Sequence, residues 1–123
     1  MRLRLGLSSE LTRRFSRQDV ADYVALGGAP VPNGAVPEPL VSALFSCLLG
    51  ERLPGPGTNY LKQETEFAAT ARVGQPLTGS VTVTRLRPPK RLVDLETICR
   101  DDSGELICRG RALVRFDPPA GWE

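Results

Sequence analysis

The chain has 123 residues, a formal net charge of +2, 24% charged and 41% apolar residues, and no histidine. That length fits one domain with its own core, and so small a net charge gives no reason to expect a nucleic-acid partner. Lacking histidine, the chain is without the usual general base near neutral pH and the commonest metal ligand, so Ser–His and Cys–His nucleophile pairs are excluded and acid–base chemistry falls to Asp, Glu, Tyr, Cys or Lys.

Glu10–Phe15 alternates weakly and is predicted as a first strand. Ser16-Arg-Gln-Asp19 has the form of a capping box, a hydroxyl followed three residues later by an acid. A short amphipathic helix through Val20, Tyr23, Val24 and Leu26 is predicted behind it, ended by Gly27-Gly28. The loop Ala29–Glu38 holds prolines at 30, 32 and 37, which restrict the residues before them to extended geometry. Pro39–Gly50 carries no charge and only Ser42 and Ser46 as polar side chains. It is predicted as a helix buried nearly all round, with Pro39 in its first turn and Gly50 after its last.

Leu53-Pro-Gly-Pro-Gly57 is a turn-rich connector, and Tyr60–Phe67 alternates as a strand that Arg72-Val-Gly-Gln-Pro76 breaks. Leu77–Leu86 has the clearest period of two, with Leu77, Gly79, Val81 and Val83 on one face. After Pro88-Pro-Lys90, Leu92–Cys99 alternates again, Asp101–Gly104 signals a hairpin, and Leu106–Phe116 sends Arg109, Arg111 and Arg115 outward. Residues 116–123 are predicted as a loose tail of a single 1–123 domain. A buried helix followed by a four-strand antiparallel meander is an α+β pattern, the sheet of a hot-dog fold curled around its central helix. A single such sheet has exposed edges, and pairing two copies edge to edge would cover one of them, so a homodimer is expected.

Cys47, Cys99 and Cys108 have no metal-ligand spacing and are expected as small buried hydrophobes in a reduced, cytoplasmic protein. No cofactor, metal or membrane association is expected; the apolar run 39–50 is about half of what a bilayer requires.

Arg14–Leu26, Leu44–Gly50, Leu53-Pro-Gly-Pro-Gly-Thr-Asn-Tyr-Leu61, Val73-Gly-Gln-Pro76, Val81–Lys90 and Gly104–Gly110 resemble the MaoC-like, (R)-specific enoyl-CoA hydratases. The resemblance implies a hot-dog dimer that binds an acyl thioester, of coenzyme A or an acyl-carrier protein, in a tunnel beside the central helix. It also implies addition of water to, or its removal from, a trans-2-enoyl group. The family pattern places Asp-x-Asn-Pro-x-His after the first helix and His-Gly at the mouth of the central one. Here the connection is shorter, Asn33 is a lone remnant, and Pro37-Glu38 stands where the pattern has His-Gly. The ordinary hydratase mechanism therefore lacks its residues in this chain.

Glu38 is the candidate base: it is the one acid between the two helices, at a helix N-terminus that favours negative charge. It is either a general base in altered hydratase or dehydratase chemistry, a thioesterase carboxylate, or a helix-terminal acid without chemistry. Tyr60 either donates into the tunnel or packs at the strand start. Ser42 either touches the acyl chain or bonds the carbonyl one turn back. Lys90 and Arg91 either meet a carrier phosphate or face solvent. A non-catalytic partner subunit or acyl-binding protein, paired with an unlike hot-dog chain, is the alternative to an enzyme.

Overall fold

The computed structural model describes residues 3–118. The order is β1 (Ser8–Arg13), α1 (Arg17–Ala25), α2 (Glu38–Glu51), β2 (Thr58–Phe67), β3 (Leu77–Arg87), a single 3-10 turn (Pro88–Lys90), β4 (Leu92–Asp101) and β5 (Leu106–Phe116). The five strands form one antiparallel sheet in the order β1-β3-β4-β5-β2, with β1 and β2 at the edges.

The four-strand meander expected from the sequence is thereby corrected. β3, β4 and β5 are hairpin-linked neighbours, but β2 pairs with β5 rather than β3. Two local features account for this. The link 68–76 does not turn back tightly: its Ala68 and Ala69 N–H groups both donate to the Ile107 carbonyl before it crosses to β3. Gly110 of β5 has no side chain where the β2 backbone passes, and a Cβ there would run into the Glu64 carbonyl. Close approach of two backbones is a position only glycine fills.

The inner face of the sheet holds the core. β3 buries Leu77, Gly79, Val81 and Val83, β4 buries Val93, Leu95, Thr97 and Cys99, and β5 buries Cys108, Ala112, Val114 and Phe116, as period-two alternation requires. Against them α2 seats Val41, Leu44, Phe45, Leu48 and Leu49, spaced three and four apart on one side of the helix. The opposite side is open: Ala43, Ser46 and Gly50 are exposed and Ser42 and Cys47 half-buried. Burial nearly all round, the expectation from its missing charges, is thus corrected to a one-sided seat, because a single sheet in one protomer covers a single side. The helix also runs one residue further than expected at its start and two at its end, from Glu38 to Glu51, with Gly50 inside it. Its C-terminal end is held to the sheet by the Arg52 guanidinium, which donates to the Glu10 carbonyl at 2.7 Å.

α1 begins on the expected capping box: the Asp19 N–H donates to Ser16 Oγ at 3.0 Å and the Ser16 N–H to Asp19 Oδ2 at 2.8 Å. Val20, Tyr23 and Val24 form its half-buried face, as its amphipathic pattern predicts, but none of its residues is fully buried and Leu26, past its end, is 90% exposed. The start of the expected tail is also corrected. Phe116 closes β5 and is buried, and Asp117 accepts from Arg91 at 2.9 Å and Arg115 at 2.7 Å. The remainder of that stretch, from 119 onward, lies outside the described residues.

Several turns rest on carboxylates. Hydrogen bonds from Ser16, its backbone N–H first, hold Asp19 below the ordinary aspartate range. The Ser103 hydroxyl, followed by the Glu105 and Ser103 amides, does so for Asp101, and Arg115 with Arg91 for Asp117. Each is more acidic folded than unfolded, so its contribution is complete above about pH 5 and fades as pH falls through the depressed values. The urea midpoint is therefore expected to be flat from about pH 7 to 5 and to drop below about pH 4. A midpoint unchanged at about pH 3 would contradict this reading of the caps.

Candidate functional site

Between α1, the loop 29–37, the first turn of α2 and residues 70–72 lies an open cavity of about 610 Å³. Its wall is mostly apolar, with Tyr23, Val31, Val36 and three prolines among the lining residues, and its charged side chains are Glu38 and Arg72. The shape comes from backbone pairing across long sequence distance. Ala35 forms an isolated antiparallel bridge with Arg72, the Val36 N–H donates to the Ala71 carbonyl at 2.9 Å, and the Val73 N–H to the Gly34 carbonyl at 2.9 Å. This short ladder fixes the loop that leads into α2 and brings Arg72 to the mouth of the helix. On the other flank, Gly28 follows α1 so closely that a Cβ would enter the Tyr23 ring, which holds that ring at the cavity wall.

The helix mouth is depleted of donors. Pro37 is the cap and Pro39 lies in the first turn, and neither has an N–H. The Leu40 and Val41 N–H groups both turn to the Pro37 carbonyl, at 3.0 and 3.4 Å. The Glu38 N–H is what remains of the amides that usually make a helix N-terminus an anion site. The Glu38 side chain is exposed. Among the described residues neither Glu38 nor Arg72 makes a side-chain ion pair.

The other expected site residues are spread along the molecule. Ser42, half-buried, is one turn from Glu38, roughly 6 Å along the axis. Tyr60 is 41% exposed on edge strand β2 and meets Ser46, about two turns from Glu38. Burial raises the Tyr60 pKa, with Ser46 opposing, so the phenol is a hydrogen-bond donor near neutral pH and not a base. Asn33 is exposed, and its Oδ1 accepts from the Arg17 guanidinium at 2.9 Å, latching the loop to α1. Lys90 and Arg91 lie at the opposite end of the sheet. Glu38 is close enough to Cys108 to help raise its pKa, and Cys108 pairs with Cys99, seven positions and roughly 23 Å along β4 from Leu92. Arg91 is moreover engaged by Asp117. Within one protomer the structure therefore joins Glu38 and Ser42, sets Tyr60 further along the same helix, and does not bring Lys90 or Arg91 to them.

Cys99 and Cys108 face each other, fully buried, under the start of α2. The bond to the Cys99 sulfur, then burial, then the Glu38 charge push the Cys108 thiol up. The Cys47 thiol is also raised, first by its 3.2 Å bond to Glu51. Neither Cys108 nor Cys47 is poised as a thiolate, while the hydrogen bond from Cys108 shifts the Cys99 thiol down. Two buried polar atoms on the inner side of the sheet, Thr97 Oγ1 and Gln63 Nε2, lack a partner among the described residues. They flank Gly110 and Ala112 in register, near the β2 edge that carries Tyr60.

Arg72 and Tyr23 were not singled out by sequence reasoning. Arg72 read as part of a strand-breaking turn, and its pairing with Ala35 has no local signal.

No family model matches the chain. An (R)-specific enoyl-CoA hydratase of Aeromonas caviae is 34% identical over 93% of this chain and 96% of its own length. A 3-hydroxybutyryl-CoA dehydratase of Methylorubrum extorquens is 32% identical over 92% of the chain and 80% of its own length. Among solved structures, an (R)-hydratase from A. caviae involved in PHA biosynthesis superposes with a TM-score of 0.89 over 94% of this chain and 98% of that one, at 32% identity. No helix among the described residues is long and apolar enough to cross a membrane.

Proposed function

The chain belongs to the MaoC-like family of (R)-specific enoyl-CoA hydratases, and we propose that it is a divergent member in which Glu38, not an Asp/His pair, carries hydratase or dehydratase chemistry on an acyl thioester. The observation that carries this reading is the cavity at the helix mouth, mostly apolar and edged by one carboxylate and one guanidinium that make no ion pair among the described residues. An apolar pocket with few convergent polar groups suits a fatty chain ending in a polar reacting centre.

In the dehydration direction, the Glu38 carboxylate takes the α-proton of a 3-hydroxyacyl thioester. The C–H electrons form the double bond, the β C–O bond breaks, and the proton goes from Glu38 to the departing hydroxyl as water. Hydration is the reverse. One carboxylate serves both proton transfers, so turnover is slower than with a dedicated pair.

The acyl carrier is coenzyme A or an acyl-carrier protein. The protomer works as a homodimer through the unpaired β2 edge and the open side of α2. A second reading, a subunit that supplies a tunnel to an unlike catalytic chain, is favoured by the total lack of histidine.

Native mass spectrometry with a panel of acyl-CoAs and acyl-carrier proteins tests the proposal. The expected spectrum is a homodimer retaining acyl thioester, with dehydrated or hydrated product after incubation. A homodimer that retains acyl-CoA but never changes it would favour the partner-subunit reading. A monomer with no retained thioester would overturn both.

A further inference from the structure

We propose that Arg72 is the positive donor that holds the thioester oxygen opposite Glu38, in place of the amides of the helix N-terminus; this rests on the acyl-thioester reading above. Removing an α-proton puts negative charge on the thioester oxygen, and a site doing this must hold that charge with donors fixed in advance. The usual source beside a central helix is the free N–H groups of its first turn. Here Pro37 and Pro39 have none, and Leu40 and Val41 spend theirs on the Pro37 carbonyl. The Glu38 N–H alone remains, and it belongs to the residue bearing the base. The negative charge that leaves Glu38 for the thioester oxygen would then have a single amide to hold it.

Arg72 fills that need by position. It is the cation of the cavity lining, it has no acidic partner among the described residues, and its backbone is tied to Ala35 two residues before the cap. Guanidinium presents several N–H donors in one plane, suited to an enolate oxygen. Arg72 is exposed at the edge of a mostly apolar open pocket, free to make a charge-assisted hydrogen bond to a ligand lying there.

Acetoacetyl-CoA is a suitable probe, because its β-keto thioester ionises to an enolate with its own ultraviolet band and needs no turnover to be read. Wild-type protein is expected to bind it and to raise the enolate fraction at fixed pH above that of the free ligand. Arg72→Met should lower the bound enolate fraction by about ten- to a hundredfold, the scale of one charged hydrogen bond. Arg72→Lys should restore part of it, while both variants keep the native circular dichroism spectrum and homodimer mass. Bound ligand with the same enolate fraction in wild type and Arg72→Met would overturn the role of Arg72 and leave the acyl-thioester reading standing. Absence of binding to wild type would overturn that reading and this inference with it.

Discussion

Phe45→Ala is expected to lower the unfolding free energy by about 3–5 kcal/mol. Phe45 is fully buried on the seated side of α2, against Leu44 and the Gly79 position of β3. Truncation removes the ring from contact with that sheet position, and a helix held at both ends by Pro37 and Arg52 has little freedom to sink into the space. Such a loss is a large fraction of the 5–15 kcal/mol typical of a small domain. Urea unfolding at fixed protein concentration checks it, fixed because association adds to apparent stability. A loss below about 1 kcal/mol would mean that α2 does not sit on the sheet through this side.

Glu38→Gln is expected to reduce hydratase-type turnover by about 10²–10⁴-fold, the contribution of a positioned general base. The substitution keeps the size and the hydrogen-bonding atoms of the side chain and removes its proton-accepting charge. Since Glu38 is exposed and in no ion pair among the described residues, the fold should not depend on it. Binding of the acyl thioester should be preserved, so the effect falls on kcat with KM nearly unchanged. Turnover of crotonyl-CoA that is fast, and altered twofold or less by the substitution, would exclude Glu38 as the base and point to other groups.

The elements were legible in the sequence wherever one local pattern decided them. Ser16 and Asp19 make the capping box they spell, and the alternation of Leu77 to Val83 is the burial pattern of β3. What could not be read locally was which strand β2 would join. That choice follows from the space at Gly110 and the Ile107 carbonyl that receives Ala68 and Ala69, both forty or more positions from β2 in the chain. The charge-free helix was misjudged because composition reports what a helix can bury, not how many surfaces are there to bury it. In the site, Glu38 was visible by its place before an apolar run. Arg72 was not, since only the bridge to Ala35 brings it to the same cavity. Lys90 and Arg91 stood out as basic turn residues, but strand length carries them to the far end of the sheet.

Calorimetric titration of crotonyl-CoA into the wild-type protein and into Val31→Trp tests most directly whether the cavity at the helix mouth is the acyl-thioester site. Val31 is half-buried in the cavity wall, where an indole would occupy the space without touching the core under α2. Saturable binding of one acyl thioester per protomer to wild type, lost in Val31→Trp with the fold intact, is the predicted result. No saturable binding to wild type, or equal binding by both proteins, would contradict it.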